Sequence, residues 1–287
     1  MNFISKENDM SDNRRYIGFT VEAYQGLTPA VIIAGLRFIG IDFVEITKTV
    51  FKEIDAVVQR LAHVKTGFHL PLMHDDHWDL SCMNCQKEID QLIENINRYK
   101  TSLNLQYVLS HPPEPDIADK DKQLSADFLF ENLNKIDSPI FLENVPSLSP
   151  DKFFAFYNLA KEKLQGKLAG MCFDGPHYFV TGYDPIEKYR SLHENIGCIH
   201  LSDCYANDDC HLPFERGGTF PVYDFLNEIS KNFSGYLTLE IKPNSLNDLE
   251  YFVQSYLKTL YYLDRKKYFK NRLRWQMLRP LVRRFVG

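Results

Sequence analysis

No stretch of this chain stays apolar for the ~18 residues that a bilayer-spanning helix needs, so none is expected. Residues 1–14 lack the apolar core of a secretory signal and read as a polar, disordered leader, which points to a cytoplasmic protein. Cysteine is sparse: six in 287 residues cannot form a disulfide framework. Cys82-Met-Asn-Cys85 is a lone C-x-x-C without a second pair, and Cys172 and Cys198 sit in apolar runs as core residues. Repeats and low-complexity tracts are absent too, which excludes solenoids and repeat arrays. Basic charge is scarce in the body. From Asp264 to Gly287 there are nine Lys/Arg and one acid, a net +8, leaving −13 for the first 263 residues against the overall −5. An acidic body disfavours a polyanion such as DNA, because phosphate contacts dominate nucleic-acid affinity.

What is present is a regular alternation. With 44% hydrophobic residues the chain has ample core material, and its length suits one α/β barrel. Strands are predicted at Tyr16–Val21, Phe43–Ile46, Gly67–Leu72, Gln106–Ser110, Pro139–Glu143, Leu168–Phe173, Ile196–Leu201 and Tyr236–Ile241. Between them, Pro29–Ile39, Ile54–His63, Asn84–Tyr99, Asp151–Leu164 and Val222–Ile229 repeat apolar residues at helical spacing. Thr28-Pro29 and Ser149-Pro150-Asp151 are helix-start signals. Eight strand-helix units without a composition break predict a single (β/α)8 TIM barrel over residues 15–263, followed by a basic helical extension at 264–287. Two long loops, Met73–Cys82 and Ser202–Pro221, follow strands and so fall on the C-terminal face, where barrel enzymes keep their chemistry.

The residues at the strand ends share one chemistry. They are His69, His111, Glu143, Asp174, His200 and Glu240, with His177 just beyond Asp174 and Asp209-Cys-His211 in the second long loop. A single histidine at a strand end is usually a hydrogen-bonded structural residue. Nine imidazoles and carboxylates on one rim, with no Lys or Arg ending those strands, repel one another unless cations lie among them. Glu143, ending the run Ser138-Pro-Ile-Phe-Leu-Glu143, reads as the bridging ligand of a metal cluster. All-N/O ligation suits zinc, manganese or iron without choosing among them.

The order His, His, Glu, Asp-x-x-His, His, Asp-x-His, Glu resembles that of the endonuclease IV (AP endonuclease family 2) proteins, part of the xylose isomerase-like TIM-barrel superfamily. The resemblance runs from Tyr16 to Ile241. It is most specific at Cys172-Phe-Asp-Gly-Pro-His177 with Gly182-Tyr-Asp184, at Ile199-His-Leu-Ser-Asp203, and at Asp209-Cys-His211 with Gly217-Gly218. It implies up to three zinc ions: one on His69, His111 and Glu143, one on Glu143, Asp174, His200 and Glu240, and one on His177, Asp209 and His211. It further implies phosphodiester hydrolysis by a metal-bound hydroxide, with Glu143 and Glu240 at the reacting centre and Cys210 a bystander. The substrate would be a phosphorylated small molecule or a nucleic acid.

The chain departs from that family at the loop Thr47-Lys-Thr-Val-Phe51, with one basic residue, and at Leu72-Met-His-Asp-Asp-His-Trp78, which is acidic. Neither suits a kinked duplex with an extruded base. A second resemblance is to single-metal sugar isomerases and epimerases of the same superfamily, through Glu143, Asp174, His200, Glu240 and the phrase Gly40-Ile-Asp-Phe-Val-Glu45. A third is to multinuclear iron oxygenases that modify peptides, through Glu143-Asn-Val-Pro146. In the extension, Lys266, Lys267, Lys270, Arg272, Arg274, Arg279, Arg283 and Arg284 interleave with apolar residues around Pro280. Such a helix can contact an anionic membrane, a nucleic acid or another subunit, or pack on the barrel.

Overall fold

The computed structural model describes residues 14–24, 26–116, 118–242 and 248–286, with side chains as far as Pro280. The expected leader, up to residue 13, lies outside the described residues. The described residues form ten strands: β1 Arg15–Val21, β2 Phe43–Ile46, β3 Lys65–His69, β4 Leu105–Ser110, β5 Ile140–Glu143, β6 Leu168–Asp174, β7 Ile196–Leu201, β8 Asp203–Tyr205, β9 Asp208–Leu212 and β10 Gly235–Leu239. All but β8 and β9 pair in parallel and close into an eight-stranded barrel in the order β1-β10-β7-β6-β5-β4-β3-β2. The expected (β/α)8 barrel is therefore the architecture found.

The helices are α1 Pro29–Ile39, α2 Ile54–Leu61, α3 Met73–Asp76, α4 Gln86–Tyr99, α5 Ala126–Lys135, α6 Pro150–Leu164, α7 Gly175–Val180, α8 Pro185–Leu192, α9 Val222–Ile229, α10 Leu249–Leu263 and α11 Arg265–Val286. Each long one buries a stripe on the barrel. In α4 the stripe is Ile89, Leu92, Ile93 and Ile96, at three- and four-residue spacing. Ser149 caps α6 through the Lys152 amide, with Pro150 in its first turn, as the sequence signals.

Strands buried on both faces read as continuous apolar runs. β5 is such a run, Ile-Phe-Leu-Glu, and all four residues are buried. Inside the barrel Phe43, Tyr107, Leu109, Phe141, Cys172 and Cys198 form a separate plug, so both cysteines are core residues as expected. A Cβ on Gly67 would meet the Tyr107 ring at 2.3 Å, so only glycine there leaves room for that side chain. The plug forms the floor beneath the strand ends.

Three strand ends differ from expectation in ways that shape the rim. β3 spans Lys65–His69 rather than Gly67–Leu72, and Pro71 has no amide with which to extend it. β6 runs one residue further, to Asp174, and β10 stops at Leu239, just before Glu240. The second long loop is not irregular: β8 and β9 form an antiparallel hairpin. Helix α11 packs on the barrel wall rather than trailing free. Asn271 and Trp275 are buried, Trp275 lies against Val253 and Leu257, and Lys267 pairs with Asp42 at 2.5 Å. Its outward side leaves Phe269, Leu273 and Met277 exposed.

Candidate metal centre

Parallel register carries the strand-end residues to one level. Asp174 stands opposite His200 across β6 and β7, and Glu143 opposite Cys172 across β5 and β6. Donor atoms of His69, His111 and Glu143 all lie within 4.8 Å of one another, as do those of Glu143, Asp174, His200 and Glu240. Glu143 is common to both groups. Its Oε2 is 3.0 Å from His111 Nε2 and 3.7 Å from His69 Nε2, while its Oε1 is 3.2 Å from His200 Nδ1. Glu240 Oε2 approaches the same His200 nitrogen at 3.0 Å.

The third set, His177, Asp209 and His211, sits beside these. Alternation along β9 puts Asp209 and His211 on one side of the strand. Asp209 Oδ2 lies 3.0 Å from His177 Nε2 and 3.6 Å from His211 Nε2. His177 links this set to the others, its Nδ1 being 3.7 Å from both Glu143 and Asp174. All nine residues singled out in the sequence therefore lie at one rim; six fall in the two convergent groups, whereas His177, Asp209 and His211 touch only pairwise, through Asp209.

Several side chains are already turned as ligands need to be. His69 Nδ1 donates to the Leu70 carbonyl (2.9 Å), and His177 Nδ1 donates to the Asn144 carbonyl (2.7 Å). Each bond fixes the proton on Nδ1 and leaves the Nε2 lone pair facing the centre. Asp174 caps α7 by accepting the His177 amide at 2.7 Å. Among the described residues, every ion-pair partner within 4 Å of Glu143, Asp174, Asp209 or Glu240 is a histidine.

The residues fit divalent cations on a further observation. Both His200 nitrogens, His111 Nδ1, Asp209 Oδ1, His211 Nδ1 and Glu45 Oε1 are buried without a hydrogen bond. Each such atom costs roughly 1–3 kcal/mol unless something else satisfies it. The electrostatics agree. Burial works to raise the Glu143 carboxyl, but His200 and His111 outweigh it and hold it well below the carboxylate range. Burial pushes the Asp174 carboxyl well up. Burial lowers His200, yet Cys172, Glu143, Glu45 and Glu240 together raise it well above the imidazole range.

Two participants were missed in the sequence. Glu45 is fully buried in β2; its Oε2 accepts the Tyr107 hydroxyl at 2.5 Å, and its Oε1 lies 3.0 Å from His200 Nε2. The signal was present, since a carboxylate sits inside an otherwise apolar strand. Asn144 was the other: its side chain accepts the Asp174 amide (2.9 Å) and donates to the Asp174 carbonyl (3.0 Å), tying β5 to β6.

With this fold and rim, the chain belongs to the xylose isomerase-like TIM barrel family, whose profile matches residues 36–259. No curated protein sequence matches it. Solved structures that resemble it include a D-tagatose 3-epimerase-like protein (TM-score 0.59, 18% identity, covering 86% of this chain and 98% of that one). An AP endonuclease, family 2, from Brucella melitensis gives a TM-score of 0.61 at 10% identity, covering 81% of this chain and 94% of that one. An L-ribulose 3-epimerase gives 0.58 at 14%, covering 91% and 97%. At these identities the likeness is one of fold.

Proposed function

We propose that the protein is a multinuclear metal-dependent hydrolase of a phosphoester or phosphodiester. One observation carries this reading: His69 and His111 converge on the carboxylate that also belongs to the Glu143, Asp174, His200 and Glu240 group, with His177, Asp209 and His211 beside it. That is more ligand capacity than a single ion uses. Divalent ions held there, zinc or else manganese or iron, would supply Lewis acidity and lower the pKa of a water towards neutrality. The chain's own part is positional. Glu143 holds two ligand groups in register through its two oxygens, and the Leu70 and Asn144 carbonyls keep His69 and His177 in the ligating tautomer. Glu240, at the rim, holds its carboxylate against His200 and lines the cavity where a substrate would enter. The acidic body favours a small phosphorylated molecule over DNA.

A second reading, a sugar isomerase or epimerase, is supported by the donor atoms of Glu143, Asp174, His200 and Glu240, which lie within 4.8 Å of one another and are enough for one ion, and by the epimerases among the similar structures. Turnover separates the two. The zinc-loaded protein is expected to hydrolyse bis-nitrophenyl phosphate, and Glu143→Ala to abolish that hydrolysis. Unchanged turnover in the variant overturns the hydrolase reading. Ketose epimerisation by the manganese-loaded protein, with no phosphodiester turnover, establishes the second.

A further inference from the structure

A cavity of about 510 Å³ opens off the metal centre, with His69 and Glu240 among its lining residues. It extends between α1 and the α10–α11 pair, and its walls there are Ile32, Leu36, Phe252, Val253, Trp275 and Leu278. At the metal-centre end Glu22, Thr47, Lys48, Thr49, Asp75 and Lys242 can hold a polar head, but hydroxyls or phosphates lying along these helix walls find no partner. A chain of methylenes does, because apolar burial is what that surface offers. Gly35 stands at the exposed, open side of this groove. It lies inside α1, where glycine is a poor helix former, it lines the cavity, and a Cβ built on it meets nothing within 4 Å. A larger residue would improve the helix and narrow the groove.

Resting on the metal-centre reading above, we infer that the substrate is an amphiphile: its polar head reaches the His69–Glu240 end and a single alkyl, acyl or isoprenoid chain lies along the groove past Gly35 to Trp275. The groove then selects for chain, and the metal centre for head group.

Calorimetric titration of the metal-loaded protein with ethyl, butyl, hexyl and octyl phosphate, each below its micelle concentration, tests this. Affinity is expected to tighten about fourfold per added methylene. Gly35→Phe should abolish that chain-length dependence with metal content and ethyl phosphate binding unchanged, whereas Gly35→Ala should retain it. Melting curves report the fold of both variants. Affinity independent of chain length, or a dependence that survives in Gly35→Phe, overturns the inference. A parallel series of alkyl glucosides separates its failure from that of the hydrolase reading. Chain-length dependence with both head groups upholds the groove even where phosphodiester turnover is nil.

Discussion

At the scale of single residues, the centre depends on side chains that have no good alternative to a cation. His200 is enclosed by Glu143, Glu240 and Glu45, yet makes no aligned hydrogen bond. Glu45, held by Tyr107, faces its Nε2 and keeps the proton there, which leaves Nδ1 for a metal. Glu45→Ala is expected to weaken metal affinity about 10–100-fold, measured by competition with a chelator. Wild-type affinity in that variant would show Glu45 to be a core filler only. Protons and metals compete for the same atoms. Burial lowers His177 and His200, but the neighbouring acidic groups, Asp174 for His177 and Cys172 with Glu143 for His200, raise both well above the ordinary imidazole range. In the metal-free protein these imidazolium ions stabilise the fold below about pH 6.5, and that contribution is lost as pH rises through their raised values. Cations replace the protons, so metal affinity climbs over the same window. Calorimetric melting with and without EDTA is therefore expected to diverge increasingly above about pH 6.5. Parallel curves would contradict the assignment of these two histidines.

At the scale of elements, strand ends and their ties decide the geometry. Asn144→Ala removes both side-chain bonds between β5 and the Asp174 backbone, leaving a buried amide and carbonyl that cost roughly 1–3 kcal/mol each. Urea denaturation is expected to show that loss, together with weaker metal binding. A stability loss with unchanged metal binding would limit Asn144 to a structural tie. Helix α11 supplies a second case. Trp275 is buried against α10, so Trp275→Ala is expected to lower stability by about 3–5 kcal/mol, read by the same method. A neutral substitution would mean that the helix does not depend on this contact. The strands could be read from sequence because each is an apolar run bounded by breakers, and the nine rim residues because they end those runs. Helix α5 and the β8–β9 hairpin could not. In α5 the apolar Phe128, Leu129 and Leu133 alternate with Asn132, which is buried only because it donates to the Leu80 carbonyl. The hairpin has no apolar run, with only Cys204 and Leu212 buried as apolar residues, and its order comes from packing on the rim. Glu45 escaped notice because its partners, Tyr107 and His200, lie far off in sequence and meet it only when the barrel closes.

At the scale of the whole molecule, an acidic barrel carries a basic helix on its wall and a ring of carboxylates and imidazoles at its mouth. No helix among the described residues is long and apolar enough to cross a membrane. Donor atoms from β3, the end of β4, β5, β6, β7 and the start of the loop after β10 converge there, so a cation held by the ring would tie these elements together. The metal-to-protein ratio, measured by elemental analysis of protein purified without chelator, tests the central claim most directly. About three divalent ions per chain are expected, falling sharply in Glu143→Ala, whose lost carboxylate serves two of the ligand groups. Metal-free protein that takes up none on addition of zinc, manganese or iron would contradict it.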